Sequence, residues 1–378
     1  MRVGRLLAAS LLLASPLGAQ GVEVTEPAEG QWLTSYIPFI AAAPNDGPSL
    51  EWRMRRWRMA DYEDRVTADV AWSLRAGWAP RGSWFGMLRL DYPRLGDGWR
   101  LAAEARAQHD HRWGYYGLGE TGELDVGAAG GTYWRVSRTR YLAWGELSRR
   151  LTGPLHAALG AYGTAASFDA LPGSSRFREE LGSEVRQEEA SARLALVLDL
   201  RDREYDPRRG ALLEAGWQGG VSDETYGRLY GIARGWFSPT RTTTIAARAL
   251  ASNLTGTPTL ESRVTLPAWE GPISTIGGED THRGVPNGRF TGRGTLGANL
   301  EVRQAVKDLG DWGAGGLLGF VDAGRVFEEE DFSLTLDGWT VGGGGGVWVR
   351  ALRNNVFVLS VGFAEGETFV GFRTGWSF

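Results

Sequence analysis

Four histidines, several adjacent carboxylates and a run of five glycines are the residues of this chain whose types could do chemistry. His109 and His111 flank Asp110, so on a strand both imidazoles would face the same way and could share a metal ion. A third ligand is not evident, since His156 and His282 stand far away in the chain. A polar strand end is the simpler reading. Glu179-Glu180, Glu188-Glu189 and the acidic run 328–331 have the adjacency that acid–base chemistry uses, but they sit in polar stretches and read as solvated loops. Gly342, Gly343, Gly344, Gly345 and Gly346 are followed by no Gly-Lys-Ser/Thr, which a phosphate-cradling loop requires. Neither Gly-x-Ser-x-Gly nor His-Glu-x-x-His occurs. The expectation is a protein that is not an enzyme and uses no cofactor and no metal.

What the chain carries instead is a membrane pattern. Residues 366–378 (GETFVGFRTGWSF) alternate, with Val370, Phe372, Trp376 and Phe378 on one side and Glu367, Gly371, Arg373, Gly375 and Ser377 on the other. Such a strand would meet lipid on one face and water on the other. Segment 294–306 shows the same period, setting Leu296, Ala298, Leu300, Val302 and Val306 against Thr295, Gly297, Asn299, Glu301 and Arg303. Similar segments of about ten residues, punctuated by Gly, Pro, Asp and Asn, place strands near 49–59, 65–77, 83–92, 98–110, 126–138, 139–150, 154–167, 188–200, 210–220, 226–237, 240–252, 294–306, 312–326, 338–350, 354–363 and 366–378. That makes sixteen, and an even number returns both ends of a barrel to one side.

Composition fits. Seventeen Trp, 14 Phe and 11 Tyr accompany a mean hydropathy of −0.26, the mixture produced by aromatic girdles around a polar lumen. Gly reaches 55 of 378 residues without a collagen period, and glycines in strands allow bends and close backbone approach. Residues 1–19 hold Arg2 and Arg5, a short apolar run and small residues, which reads as a cleaved secretory signal. Zero cysteines exclude disulfides and thiolate–metal sites. Net charge is −4, or −6 once Arg2 and Arg5 are removed, which argues against a nucleic-acid partner. The domain reading is thus a signal over 1–19, a short periplasmic leader over 20–48 and one outer-membrane barrel over 49–378. With both barrel ends periplasmic, the polar connections 168–187 and 253–293 face outward and the turn 201–210 faces inward. Connection 111–125 is long for the inward side it is assigned.

The segment from Gly277 to Arg303 (GGEDTHRGVPNGRFTGRGTLGANLEVR) resembles the sixth extracellular loop and twelfth strand of the BamA/TamA superfamily of outer-membrane assembly factors, the bacterial surface antigen barrels. YYGLG at 115–119, the Asp-rich turn with Pro207 and Gly210, GFVDAG at 319–324, the glycines 342–346 and the terminal Phe378 follow in the family's order. Two departures stand out: Val285 replaces the usual aromatic after Arg283-Gly284, and no POTRA domains precede the barrel. The resemblance implies an all-β transmembrane antiparallel barrel whose extracellular loop folds inward, with the loop arginine Arg283 meeting Glu301 and Asp322. It also implies an assembly signal centred on Gly371, Thr374, Trp376 and Phe378. Physical chemistry supports that alignment, because a guanidinium buried in a lumen needs carboxylate partners. Glu301 lies on the lumen face of its strand, Asp322 lies mid-strand in the next, and the glycines 342–346 would leave space beside them. Arg289, farther along the loop, has no partner assigned.

The function implied is assistance to a polypeptide, or lipid, entering or crossing the outer membrane. The expected partners are outer-membrane lipid, the assembly machinery during biogenesis and a polypeptide client. A passive channel, or a structural barrel acting through its loops, is the alternative.

Overall fold

The computed structural model describes residues 29–43, 46–61, 64–119, 131–269, 271–308, 313–328, 337–351 and 355–378, so the signal segment falls outside the described residues. Sixteen strands form one antiparallel sheet: β1 (Trp32–Ala43), β2 (Gly47–Met59), β3 (Ala68–Trp78), β4 (Trp84–Gly96), β5 (Trp99–Gly114), β6 (Arg135–Thr152), β7 (Leu155–Ala170), β8 (Glu184–Asp199), β9 (Gly210–Val221), β10 (Thr225–Phe237), β11 (Thr243–Gly256), β14 (Gly294–Asp308), β15 (Gly313–Phe327), β16 (Thr340–Ala351), β17 (Asn355–Ala364) and β18 (Glu367–Thr374). The remaining elements are helices α1 (Arg176–Leu181) and α2 (Leu260–Val264) and a two-stranded ladder of β12 (Thr265–Leu266) with β13 (Ile273–Ser274).

Every strand of the sheet pairs with its neighbour in the chain, apart from the β11-to-β14 step that spans the long loop. Period 2 decides which way each side chain points. In β8, Leu194 and Leu196 are exposed while Arg193, Ala195 and Val197, which alternate with them, are buried. Leu50, Leu88, Tyr141, Leu159, Leu229, Leu300, Val321, Phe363 and Val370 extend that apolar exposure around the sheet. A belt of this extent would be costly in water and is the lipid-facing surface of a membrane barrel. No helix among the described residues is long and apolar enough to cross a membrane; strands do the crossing. Tight two-residue turns close the hairpins at Asp97-Gly98 and Glu365-Gly366, where all four φ angles are positive, as the twist of a hairpin requires.

The strand number is the expected one, but its composition differs in two places. The leader assigned to 20–48 contains β1, which pairs along its whole length with β2, so the barrel begins at Trp32. In compensation, the segments 126–138 and 139–150 do not form two strands: Gly131–Trp134 is a turn, and one long strand, β6, starts at Arg135. Residues 126–130 lie outside the described residues. The parity of every connection between the two sites therefore changes, and the stretch after β5 moves to the side of the long loops. Its length no longer conflicts with its side.

The cylinder is not fully hydrogen-bonded. β1 and β18 are the two ends of the sheet and share no ladder among the described residues. They approach at Phe39 and Phe372, whose ring centroids are 5.8 Å apart.

Candidate functional site

Inward positions of β14 and β15 build the first half of the site. Register places Asn299 opposite Asp322 and Glu301 opposite Phe320. Onto them comes the loop between β11 and β14. Gly277 and Gly278, with φ of +118° and +75°, turn the backbone so that Arg283 reaches the wall. Its Nη2 lies 2.8 Å from Asp322 Oδ1, and both Nε and the backbone N–H donate to Oδ2 at 2.9 Å. Nη1 pairs with Glu301, whose other oxygen accepts from Arg303 Nε at 2.6 Å. Asp322 also accepts from Asn299 Nδ2 at 2.7 Å. The structure thus brings Arg283, Glu301 and Asp322 together in one buried cluster, where each charge is paired and hydrogen-bonded. The Phe320 ring covers the guanidinium at 3.7 Å, while Val285 is buried in the apolar cluster of Tyr230, Leu250, Ile276, Phe290 and Val326. The ring over the arginine is thus supplied by β15 and not by position 285.

The glycines act by close approach. A Cβ on Gly342 would come 2.8 Å from the His282 ring, and one on Gly284 would come 2.8 Å from Ala364 Cβ. Gly362 of β17 lies directly against the Arg283 carbonyl. Register allows only Gly342, Gly344 and Gly346 of the glycine run onto the inner face; Gly343 and Gly345 point the other way. The expected space beside Arg283 is therefore made by alternate glycines of β16 together with Gly362. Arg289 is not without partners: it pairs with Glu365 at 3.1 Å and lies over Phe290.

Sequence reasoning missed a second arginine centre. Arg193 of β8 is fully buried, paired with Glu146 of β6 and Glu214 of β9, and donates to the loop carbonyl of Ala268 at 3.1 Å. Glu214 in turn accepts from the Trp269 backbone N–H at 2.9 Å. Arg138 and Arg140 hold Glu261 of α2 at 2.9 and 3.0 Å, and Arg228 donates to the Thr265 carbonyl at 2.7 Å. The loop is thus bound to strands β6, β8, β9, β10, β14 and β15 by charge-assisted hydrogen bonds.

The chain end also departs from expectation. β18 stops at Thr374, the last residue in register with β17, and Gly375 (φ +87°) turns the chain. Trp376 and Phe378 therefore leave the lipid-facing row. Trp376 packs edge-on against Trp348 at 5.4 Å and donates to Asp206 at 2.8 Å. Phe378 is buried with Ala158, Val197, Leu212, Trp236 and the loop residue Trp269, and its carbonyl accepts from Arg303 at 2.8 Å. Gly371 faces the loop, since a Cβ there would come 2.9 Å from Glu279 Cγ. The turn after β8 adds to the same end of the barrel: Glu204 clasps Arg100 at 2.7 Å through both oxygens, and Asp206 pairs with Arg350 at 2.8 Å. His109 stacks on Trp84 and Asp110 pairs with Arg138, so the His-Asp-His triplet does not converge on one point.

No protein-family model matches the chain, and no curated protein matches it. Solved structures do. BamA from Haemophilus ducreyi lacking POTRA domains 1–3 superposes with a TM-score of 0.55 at 12% identity, over 93% of this chain and 70% of that one. CdiB from Escherichia coli gives 0.58 at 12% identity over 93% of this chain and 63% of that one. CdiB from Acinetobacter baumannii gives 0.53 at 11% over 91% and 59%. The chain thus spans less than two thirds of either CdiB. At such identities the likeness carries the fold alone. The chain is a sixteen-stranded membrane barrel of the outer-membrane type, with the fold that BamA and CdiB share.

Proposed function

We propose that this protein resides in the bacterial outer membrane and assists the insertion or translocation of polypeptide, or lipid, at the seam between β1 and β18. One observation carries the reading: among the described residues the sheet ends there without a ladder, leaving backbone N–H and C=O groups of two edge strands, apart from the Phe372 N–H that Glu279 holds, available to an incoming strand. A barrel serving only as a scaffold gains nothing from an unclosed edge. The buried loop and the inturned chain end favour this reading over a passive channel, because they occupy the space that ions would use.

Since the chain has no cysteine, the seam can be locked cleanly. Phe39→Cys with Phe372→Cys, reconstituted in liposomes, is expected to accelerate folding of an added unfolded outer-membrane barrel when reduced and to lose that acceleration when oxidised. Equal rates in both redox states would exclude the seam. A large, steady single-channel conductance of the wild type would instead support the channel.

A further inference from the structure

β2 carries four arginines within six residues, Arg53, Arg55, Arg56 and Arg58, in a strand that crosses the membrane. Period 2 divides them: Arg53 and Arg55 point inward, Arg56 and Arg58 outward. Arg53 stands directly opposite Arg75 of β3, an arrangement of like charges that costs stability unless something neutralises it. The chain supplies little neutralisation. Glu51 is taken by Arg75 at 2.9 Å. Arg53 donates to a neutral oxygen, Asn355 Oδ1, at 2.7 Å, and its Nε has no partner. Arg55 lies over the Trp57 ring at 5.4 Å and forms no ion pair among the described residues; the counter-charge acting on it, Asp91, is clasped by Arg89 at 2.8 Å. The buried arginines that hold the loop, Arg138, Arg193, Arg228 and Arg283, each have a carboxylate or a backbone carbonyl, so Arg53 and Arg55 stand apart from them.

Location narrows the ligand. The inner face of β2 is one strand away from the unclosed seam. β18 ends at Thr374, and among the described residues Trp32–Pro38 of β1 has β2 as its only ladder partner. A cavity of about 470 Å³ beside it is lined by inward Arg75, Arg106 and Arg373, by the acids Glu51, Glu279 and Asp280, and by Val370, which is on the lipid face. A second, of about 350 Å³, is lined by Arg55, Arg89 and Arg100 together with Asp91, Glu146 and Glu204. On the outside of the same strand Arg56 lies over Trp32 at 5.3 Å, a pairing of cation and aromatic that marks headgroup depth. Guanidiniums thus stand on both sides of the wall, one strand from its unpaired edge.

We infer that Arg53, Arg55 and Arg75 form a binding site for the phosphate of a membrane lipid, whose acyl chains stay outside the seam. The planar fork of arginine suits phosphate oxygens, and a phosphodiester would satisfy the unpaired donors. The site requires the membrane reading of the barrel and is independent of any polypeptide client.

The test is native mass spectrometry of the full chain released from neutral detergent, with phosphatidylglycerol, diacylglycerol, inorganic phosphate or a poly-glutamate peptide added. The wild type should retain phosphatidylglycerol at concentrations where diacylglycerol is lost. Arg53→Gln/Arg55→Gln should need about tenfold more lipid or worse, as expected for lost charge-assisted hydrogen bonds, whereas Arg241→Gln in an exposed turn should not. Equal retention of diacylglycerol by the wild type would overturn the site whether or not the variants fold. Equal retention of phosphatidylglycerol by the double variant would do the same. Competition by inorganic phosphate at the lipid's own concentration would mean a free-anion site, and arginine-dependent binding of poly-glutamate a polypeptide site. Either result displaces the lipid assignment.

Discussion

The two sides of this lumen are built from the same residue types and solve the same problem differently. Between β6 and β15 the arginines that hold the loop are met by acids and carbonyls: Arg193 by Glu146, Glu214 and the Ala268 carbonyl, Arg283 by Asp322 and Glu301. From β1 to β5 cavities of about 350 and 470 Å³ remain beside the loop, and Arg53 and Arg55 form no ion pair among the described residues. A buried charge is tolerable only with a partner, so the filled side is a locked core and the other side is held open for something the chain itself does not provide. The seam lies on that second side.

Substitution of the two kinds of arginine should separate them sharply. Arg193→Met strands Glu146 and Glu214 and should cost roughly 3–5 kcal/mol, seen as a lower urea midpoint of unfolding in micelles. Arg283→Ala should cost somewhat less, about 3 kcal/mol, because Arg303 still faces Glu301 and Asn299 still faces Asp322. Arg53→Met should be neutral or stabilising by up to about 1 kcal/mol, since it removes an uncompensated charge. A loss at Arg53 as large as that at Arg193 would erase the contrast between the two sides.

Removing Phe378 probes the chain end. The expectation that it stands on the lipid face gives way to burial against Trp269, so its deletion opens a cavity and frees Arg303 from the terminal carbonyl. The truncated barrel should lose about 3 kcal/mol or more, as for a large buried aromatic, and its heat-modifiable gel migration should weaken. Unchanged migration and urea midpoint would show that the chain end does not brace the loop.

Local period 2 made most of the barrel legible, because exposed leucines alternating with polar residues, as in β8 and β14, need no knowledge of the neighbours. β1 escaped for a local reason as well: Pro38 and three alanines weaken a strand signal, and a proline is tolerated there because the strand is an edge. The Arg283 cluster was readable from a resemblance and from the need to pair a buried charge. The Arg193 cluster was not, since its partners stand 47 and 21 residues away and meet it only through the register of several strands. Alternating inward acids at Glu146 and Glu214 were the available signal. The turn at Gly375 was equally hidden, because periodicity does not report a positive φ at a strand end.

The smallest effect expected concerns the junction of loop and seam. Glu279 Oε1 accepts from the Phe372 N–H of β18 at 2.7 Å, and burial pushes this carboxyl up to about 7 against the opposing pull of Arg373. A carboxyl whose pKa is higher folded than unfolded binds more protons in the native state, so its contribution is favourable at low pH and is lost as pH rises. The window runs from its ordinary value of 4.5 to about 7. The link between loop and β18 should therefore loosen between pH 5 and pH 8, seen as faster proteolysis or amide exchange at Thr368–Thr374. Glu279→Gln, which keeps the acceptor and cannot ionise, should hold the acid-like behaviour across the range. If exchange at β18, corrected for its intrinsic pH dependence, follows the same course in wild type and variant, Glu279 does not couple the filled side of the barrel to the open one.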